Sequence, residues 1–360
     1  MLLEMKRHIV LYLLLAAGTL SCGKEGLFPQ APPPEAEVTV PAATGTVDIS
    51  LGGPFTATRV SDPAGSVETS CQRWALWIFD GDGDSVVYGT GLSGESIRKT
   101  VLVGSYTAVA LVNYPESLVP ANIHRKEDIT GWVTNLSDNA AGSMLMYGEV
   151  TVDLEKDRTV NRTVDVRRLV SKVGVKKVSV AFENPYLAAK TTVLEAIYLT
   201  NLYRTSRLGA DYSAAELRAA EGAWYNVMGW REAADAVPAM DALVGETAIQ
   251  ATLTPSAPHT VPHYFYAYPN AWAADDDTHE VSWSRRSTRL VLQVKVGDKT
   301  YYYQVQIPAM GRNRIYVADE IILKKLGSLD PEQDIPGSID VVFSAAGMDW
   351  ESEADVLENS

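Results

Sequence analysis

Arg73-Trp74-Ala75-Leu76-Trp77-Ile78-Phe79, then Asp80-Gly81-Asp82-Gly83-Asp84, then Ser85-Val86-Val87-Tyr88: these residues decide the fold class. Two short runs of aromatic and β-branched residues flank five residues that favour turns, which is the composition of a β-hairpin. The same texture continues in both directions. Strand-like runs occur at Val47–Leu51, Ser96–Val103, Tyr106–Val112, Ser143–Tyr147 and Thr163–Val166, each bounded by Gly, Pro, Asn or Asp. A second set includes Lys172–Phe182, Thr192–Tyr198, Thr247–Thr254, His263–Tyr268, Thr288–Val296, Tyr301–Pro308, Ile315–Leu323 and Ile339–Phe343.

The one convincing helical run, Ser213–Glu221, lies in an insertion over about 205–245 within the second set. Without a strand–helix rhythm, a doubly wound parallel sheet is excluded. The expected fold is mainly β: two tandem transthyretin-like, Greek-key β-sandwiches, with a small helical insertion in the second. The boundary is expected at Arg167–Arg168, giving an N-terminal sandwich over 46–167 and a C-terminal one over 168–360.

The chain has 360 residues, is 46% hydrophobic and carries a net charge of −14. It can bury a core, but it lacks the basic face that binding to nucleic acid requires. Two cysteines and five histidines argue against a disulfide scaffold or a zinc cluster. The excess of Tyr (17) and Trp (8) over Phe (6) suits exposed β-structure, because those rings carry a polar handle.

The N-terminus reads as a targeting signal. Lys6 and Arg7 precede the apolar run Ile9–Ala17, which is shorter than the roughly 20 residues a spanning helix needs. Small residues then lead to Cys22, as in a bacterial lipoprotein signal, so residues 1–21 are read as the signal peptide and Cys22 as the lipidation site. Residues 22–45, with Pro29, Pro32, Pro33 and Pro34, read as an extended tether.

Candidate chemistry fails along the rest of the chain. Asp80, Asp82 and Asp84 open like a calcium loop, but Ser85 and Gly91 stand where Gly and Glu are required, so a polar turn is expected. Asp275, Asp276 and Asp277 beside His279 and Glu280 read as an acidic surface loop. His259 and His263 are four apart, but Pro258 and Pro262 deny them a helix, and no shared face is expected for the two imidazoles. Cys71 is expected to pack as a small apolar residue. No catalytic constellation, metal site or cofactor is expected. Trp224, Tyr225 and Trp230 in the insertion are the candidates for exposed rings.

Taken in order, these features resemble the fimbrillin family, the lipoprotein-derived subunits of surface pili. The resemblance covers nearly the whole chain: the lipoprotein Cys22, the strand Val47–Leu51 followed by Arg59, and Trp74–Gly81. It continues through Met146–Glu149, Val166–Val173, Tyr264–Asn270 and Arg312–Tyr316, and closes with Gly327–Pro331, Ile339–Phe343 and Asp349-Trp350. The 205–245 insertion matches nothing in that pattern.

The resemblance implies a mechanism. The precursor would be lipidated at Cys22 and carried to the outer membrane and cell surface. An arginine-specific protease would cut between Arg59 and Val60 and release residues 46–59 with the propeptide strand Val47, Ile49 and Leu51. The bared groove would accept a donor strand carrying Ile339, Val341 and Phe343 from another copy or a related pilus subunit. Repetition of that head-to-tail contact gives an open filament, a fimbrium that supports cell adhesion. The alternative is a monomeric outer-membrane surface lipoprotein, a pilus anchor or glycan-binding module, that keeps its lipid.

Overall fold

A computed structural model describes residues 42–53, 68–139, 142–203, 205–209, 224–225, 245–246, 248–272, 287–307, 309–331, 333–343 and 351–352. Cys22, Arg59, Val60, the helical run Ser213–Glu221 and the acidic run 275–280 lie outside these residues.

The first strand set makes two sheets. Strands β2 (Trp74–Phe79), β3 (Ser85–Gly91), β5 (Gly104–Val112), β7 (Met146–Leu154) and β9 (Arg167–Arg168) form an antiparallel sheet in the order β3-β2-β5-β7-β9. Strands β1 (Thr44–Gly52), β4 (Ile97–Leu102) and β8 (Thr159–Asp165) form a second sheet in the order β4-β1-β8. The expected hairpin is present. Asp80 Oδ1 accepts the backbone N–H groups of Asp82 and Asp84, so that carboxylate serves the turn.

All six residues of β2 are buried, with no polar alternation. Successive side chains point to opposite faces, so both faces must be covered. The indole of Trp74 donates to the Leu92 carbonyl and that of Trp77 to the Pro120 carbonyl, so connecting segments seal the strand while satisfying each ring N–H. Strands β7 and β8 are joined by a tight turn with Asp157 at φ 55°, yet they belong to different sheets, so the chain changes layer there.

Short pieces follow. Strand β6 (Val133–Asn135) pairs with β14 (Thr205–Arg207), which joins the first strand set to the second. Strand β13 (Leu202–Tyr203), just before the insertion, pairs with β15 (Trp224–Tyr225) inside it.

The second set again makes two sheets. One contains β10 (Ser171–Val175), β11 (Val178–Val180), β18 (His263–Ala267) and β21 (Arg314–Leu323), in the order β11-β21-β10-β18. Strands β22 (Ile339–Phe343) and β23 (Glu351–Ser352) also pair with β21. The other sheet is built on β12 (Thr192–Thr200), β19 (Thr288–Val296) and β20 (Lys299–Ile307), with β16 (Gly245–Glu246) and β17 (Ala251–Leu253) also paired to β12.

The chain is mainly β, as expected. The strand expected over Lys172–Phe182 is two strands that run beside different parts of β21, with a break at Lys176-Lys177. The strand expected at Ser143–Tyr147 starts at Met146 and runs to Leu154. Glu149, Thr151 and Asp153 are its exposed residues, and that polar face hid its length. Arg167–Arg168 is itself the last strand of the first sheet, and one continuous apolar core runs through both strand sets.

Candidate functional site

The strand β1 is central in its sheet. It runs antiparallel to β4, pairing Thr44 with Leu102 through to Ile49 with Ile97. On its other edge it runs parallel to β8, pairing Thr46 with Thr159 through to Gly52 with Asp165. Further backbone bonds tie its ends: Asp157 N–H donates to Thr44 O at 2.9 Å, and Val166 N–H donates to Gly52 O at 3.1 Å.

The sequence Val47-Asp48-Ile49-Ser50-Leu51 alternates, and the structure uses the alternation. Val47 and Ile49 are fully buried, Asp48 and Ser50 are half-exposed, and Leu51 is half-buried against the core. Full burial of a Val or Ile contributes about 1.5–3 kcal/mol each. Withdrawing β1 therefore uncovers an apolar floor and leaves the facing N–H and C=O groups of β4 and β8 without partners. The opening is one strand wide, and a strand that entered it in the direction of β1 would run parallel to β8 and antiparallel to β4.

Past Gly53, the next described residue is Glu68, which is firmly fixed. Glu68 Oε1 lies 2.8 Å from Lys172 Nζ on β10, both side chains are 1% exposed, and the Tyr266 hydroxyl on β18 donates to the same carboxylate. Arg168 Nε donates to the Glu68 carbonyl at 3.2 Å. Arg59 and Val60 therefore fall between two anchored points, Gly53 and Glu68. This charged cluster was missed in the sequence, although Lys172 stands out within the apolar run 169–175.

At the other end of the chain, β22 pairs antiparallel with β21, Ile339 opposite Leu323 and Val341 opposite Ile321. It has no other strand partner among the described residues. Ile339 and Val341 are half-buried and pack on the core, while Asp340 and Val342 are exposed. Phe343 ends the strand opposite Ala318, and its side chain is outside the described part. The Lys324–Asp340 contact at 3.4 Å adds little, because the aspartate side chain is 59% exposed. Thus β1 is held along two edges with buried side chains, and β22 along one edge with half-buried ones.

One expectation is overturned. His259 and His263 do share a face: their Nε2 atoms are 2.7 Å apart and the rings stack at 5.0 Å between centroids. A helix is not required: His263 begins β18 opposite Val175, while His259 is bridged separately to Val178 of β11 in the same sheet. His263 Nδ1 lies 2.8 Å from Glu246 Oε2. Burial, and next the charge of His263, hold His259 below the usual histidine range, against an upward pull from Glu246. Among the described residues, no group of three or more His, Cys, Asp and Glu converges as a metal site, and no helix is long and apolar enough to cross a membrane.

No family model and no curated protein matches this chain. Solved structures do. A candidate cell-adhesion protein from Bacteroides eggerthii DSM 20697 superposes with a TM-score of 0.59 at 17% identity, over 84% of this chain and 95% of that one. A fimbrilin from Porphyromonas gingivalis W83 superposes with a TM-score of 0.55 at 14% identity, over 83% of this chain and 96% of that one. A candidate cell-adhesion protein from Parabacteroides distasonis ATCC 8503 gives 0.53 at 14% identity, over 84% and 97%. The chain has the fold of these proteins, which is the fold that the fimbrillin resemblance implied.

Proposed function

We propose that this chain is a structural subunit of a surface pilus that supports cell adhesion and assembles by strand exchange with copies of itself and related subunits. The observation that carries the reading is the central position of β1 between β4 and β8. A strand whose removal opens a groove of its own width, with unpaired edges on both sides, is built to be replaced. The shared fold with a fimbrilin supports the same reading.

In this account Cys22 carries lipid and delivers the precursor to the outer membrane. An arginine-specific protease cuts Arg59–Val60, β1 leaves with the tether, and Glu68 keeps the remaining chain docked through Lys172 and Tyr266. The donor is the edge strand carrying Ile339, Val341 and Phe343, whose two-residue spacing repeats that of Val47, Ile49 and Leu51. Arg167–Arg168 is taken as the end of the first domain.

N-terminal sequencing of the protein from outer-membrane and sheared surface fractions tests the proposal. The expected result is Val60 as the first residue, in a ladder of high-mass species. Acylated Cys22 in a monomer alone would overturn it, and leave a lipid-retaining anchor or glycan-binding lipoprotein.

A further inference from the structure

We infer that β8 holds a shielded cleavage site for a protease that cuts after arginine, at Arg158–Thr159 and Arg162–Thr163, and that β1 is the shield. Both arginines already offer their side chains to solvent: that of Arg158 is 73% exposed, and Arg162 is exposed as well. What is withheld is the backbone. Thr46 N–H donates to the Arg158 carbonyl at 2.8 Å, and Val166 N–H donates to the Gly52 carbonyl at 3.1 Å. The register is constant between these two bonds, so the alternation of a parallel ladder turns the Arg158 and Arg162 carbonyls toward β1, where Thr46 and Ser50 donate to them. A protease has to draw that same carbonyl into its own set of donors, so both bonds are closed while β1 is in place.

Little else holds β8. Among the described residues, β1 is its sole strand partner. Thr159, Asn161, Arg162, Thr163 and Asp165 are exposed, Val160 is half-buried, and Val164 alone is fully buried. The hydroxyl contact of Thr163, 3.1 Å to Ser50, is also made to β1. The other edge strand of this sheet differs. Strand β4 keeps two buried side chains, Ile97 and Val101, and its pairing with β1 turns the Arg98 carbonyl away from that strand.

Departure of β1 therefore leaves an exposed, unpaired strand with two arginines, open to the specificity proposed for Arg59. Water then adds across the Arg162–Thr163 or Arg158–Thr159 amide, whose C–N bond breaks to leave an arginine carboxylate and a threonine ammonium. A strand received in the direction of β1 restores the N–H donors and closes both bonds. A subunit emptied of β1 thus either receives a strand or loses one wall of its groove, a consequence that rests on the strand-exchange reading.

Digestion of the folded full chain with an arginine-specific protease, with products identified by mass, tests this. Ser50→Pro deletes the N–H that meets the Arg162 carbonyl and leaves the pairs with β4 in place. Cleavage after Arg162 follows the open population, so it should run about tenfold or more faster than in wild type. Leu51→Pro, beyond the last pair with β4 and facing away from β8, should stay near the wild-type rate. Arg162→Lys should abolish the product. Thermal melting checks that each variant folds; if Ser50→Pro does not, Thr46→Pro, near the start of the strand, makes the same test at Arg158. In wild type, fragments ending at Arg158 or Arg162 should appear only after the Arg59–Val60 cut, and excess synthetic peptide of residues 42–53 should suppress them. Unchanged cleavage in the folded proline variant, equal acceleration by Leu51→Pro, or fast cleavage of intact wild type at these bonds would each overturn the inference. The Ser50→Pro effect in a chain that is never cut at Arg59 would keep the shielded site and overturn the strand-exchange reading instead.

Discussion

Lys172 Nζ and Glu68 Oε1 stand 2.8 Å apart with both side chains sealed from solvent, which ties the segment entering β2 to the first strand of the second set. Lys172 also lies over the Tyr264 ring, 4.0 Å from its centroid, and Arg168 Nη1 donates to Asn313 Oδ1 at 3.2 Å beside it. Two charges buried this deeply are stable only together. Lys172→Met alone is expected to cost about 3–5 kcal/mol, because it strands the Glu68 carboxylate in the core. Glu68→Gln combined with Lys172→Met should cost clearly less than the sum of the single changes, as read by urea unfolding of all four chains.

The strand β1 should be expensive to damage from its buried face. Ile49→Ala is expected to destabilise the chain by about 2–5 kcal/mol, and Leu51→Ala by less because Leu51 is only half-buried. Equal losses at the two positions, measured by thermal melting, would contradict the burial pattern.

If β22 is the donor, its two roles separate. Val341→Asp places a charge on a half-buried position of an edge strand, so the uncleaved chain should still fold, with a melting temperature only a few degrees lower. In a receiving groove shaped for Val47 and Ile49, the same charge would be buried without a partner, and the high-mass ladder should disappear. A ladder of normal length from Val341→Asp protein would move the donor elsewhere.

Asn113, the residue after β5, has φ 57° and is buried. Its Nδ2 donates to the carbonyls of Ser70 and Met144, and its Oδ1 accepts from Gln72 N–H at 2.8 Å. Asn113→Gly keeps the backbone conformation but loses these bonds, and Asn113→Ala loses both. Denaturation should rank Ala as the worse substitution, by about 1 kcal/mol.

His259 gives the chain an acid-sensitive element. Its proton affinity is lowered in the folded state, while in the unfolded chain it titrates near the ordinary value of about 6.5. Unfolding therefore takes up a proton as pH falls through that value, so this contribution to stability is complete above it and is lost below it. Between about pH 7.5 and about pH 5.5, wild type should lose more melting temperature than His259→Gln. Equal slopes would show that the pair does not couple to folding.

The strand texture was legible because it is local. Val47-Asp48-Ile49-Ser50-Leu51 alternates at the strand period, and Asp80–Asp84 can hardly be anything but a turn. The length of β7 was obscured because its exposed face carries Glu149, Thr151 and Asp153. The break at Lys176-Lys177 was obscured because β10 and β11 are both buried and apolar, and only the path of β21 separates them.

Pattern along the chain thus determined the fold class, since side-chain period and composition act between near neighbours. Tertiary structure alone decided that β1 is a central strand and β22 an edge strand, that Glu68 meets Lys172, and that His259 meets His263. Those facts depend on which segments lie side by side, and pairing across a sheet is selected by the burial of the whole core. No short stretch of sequence carries that information.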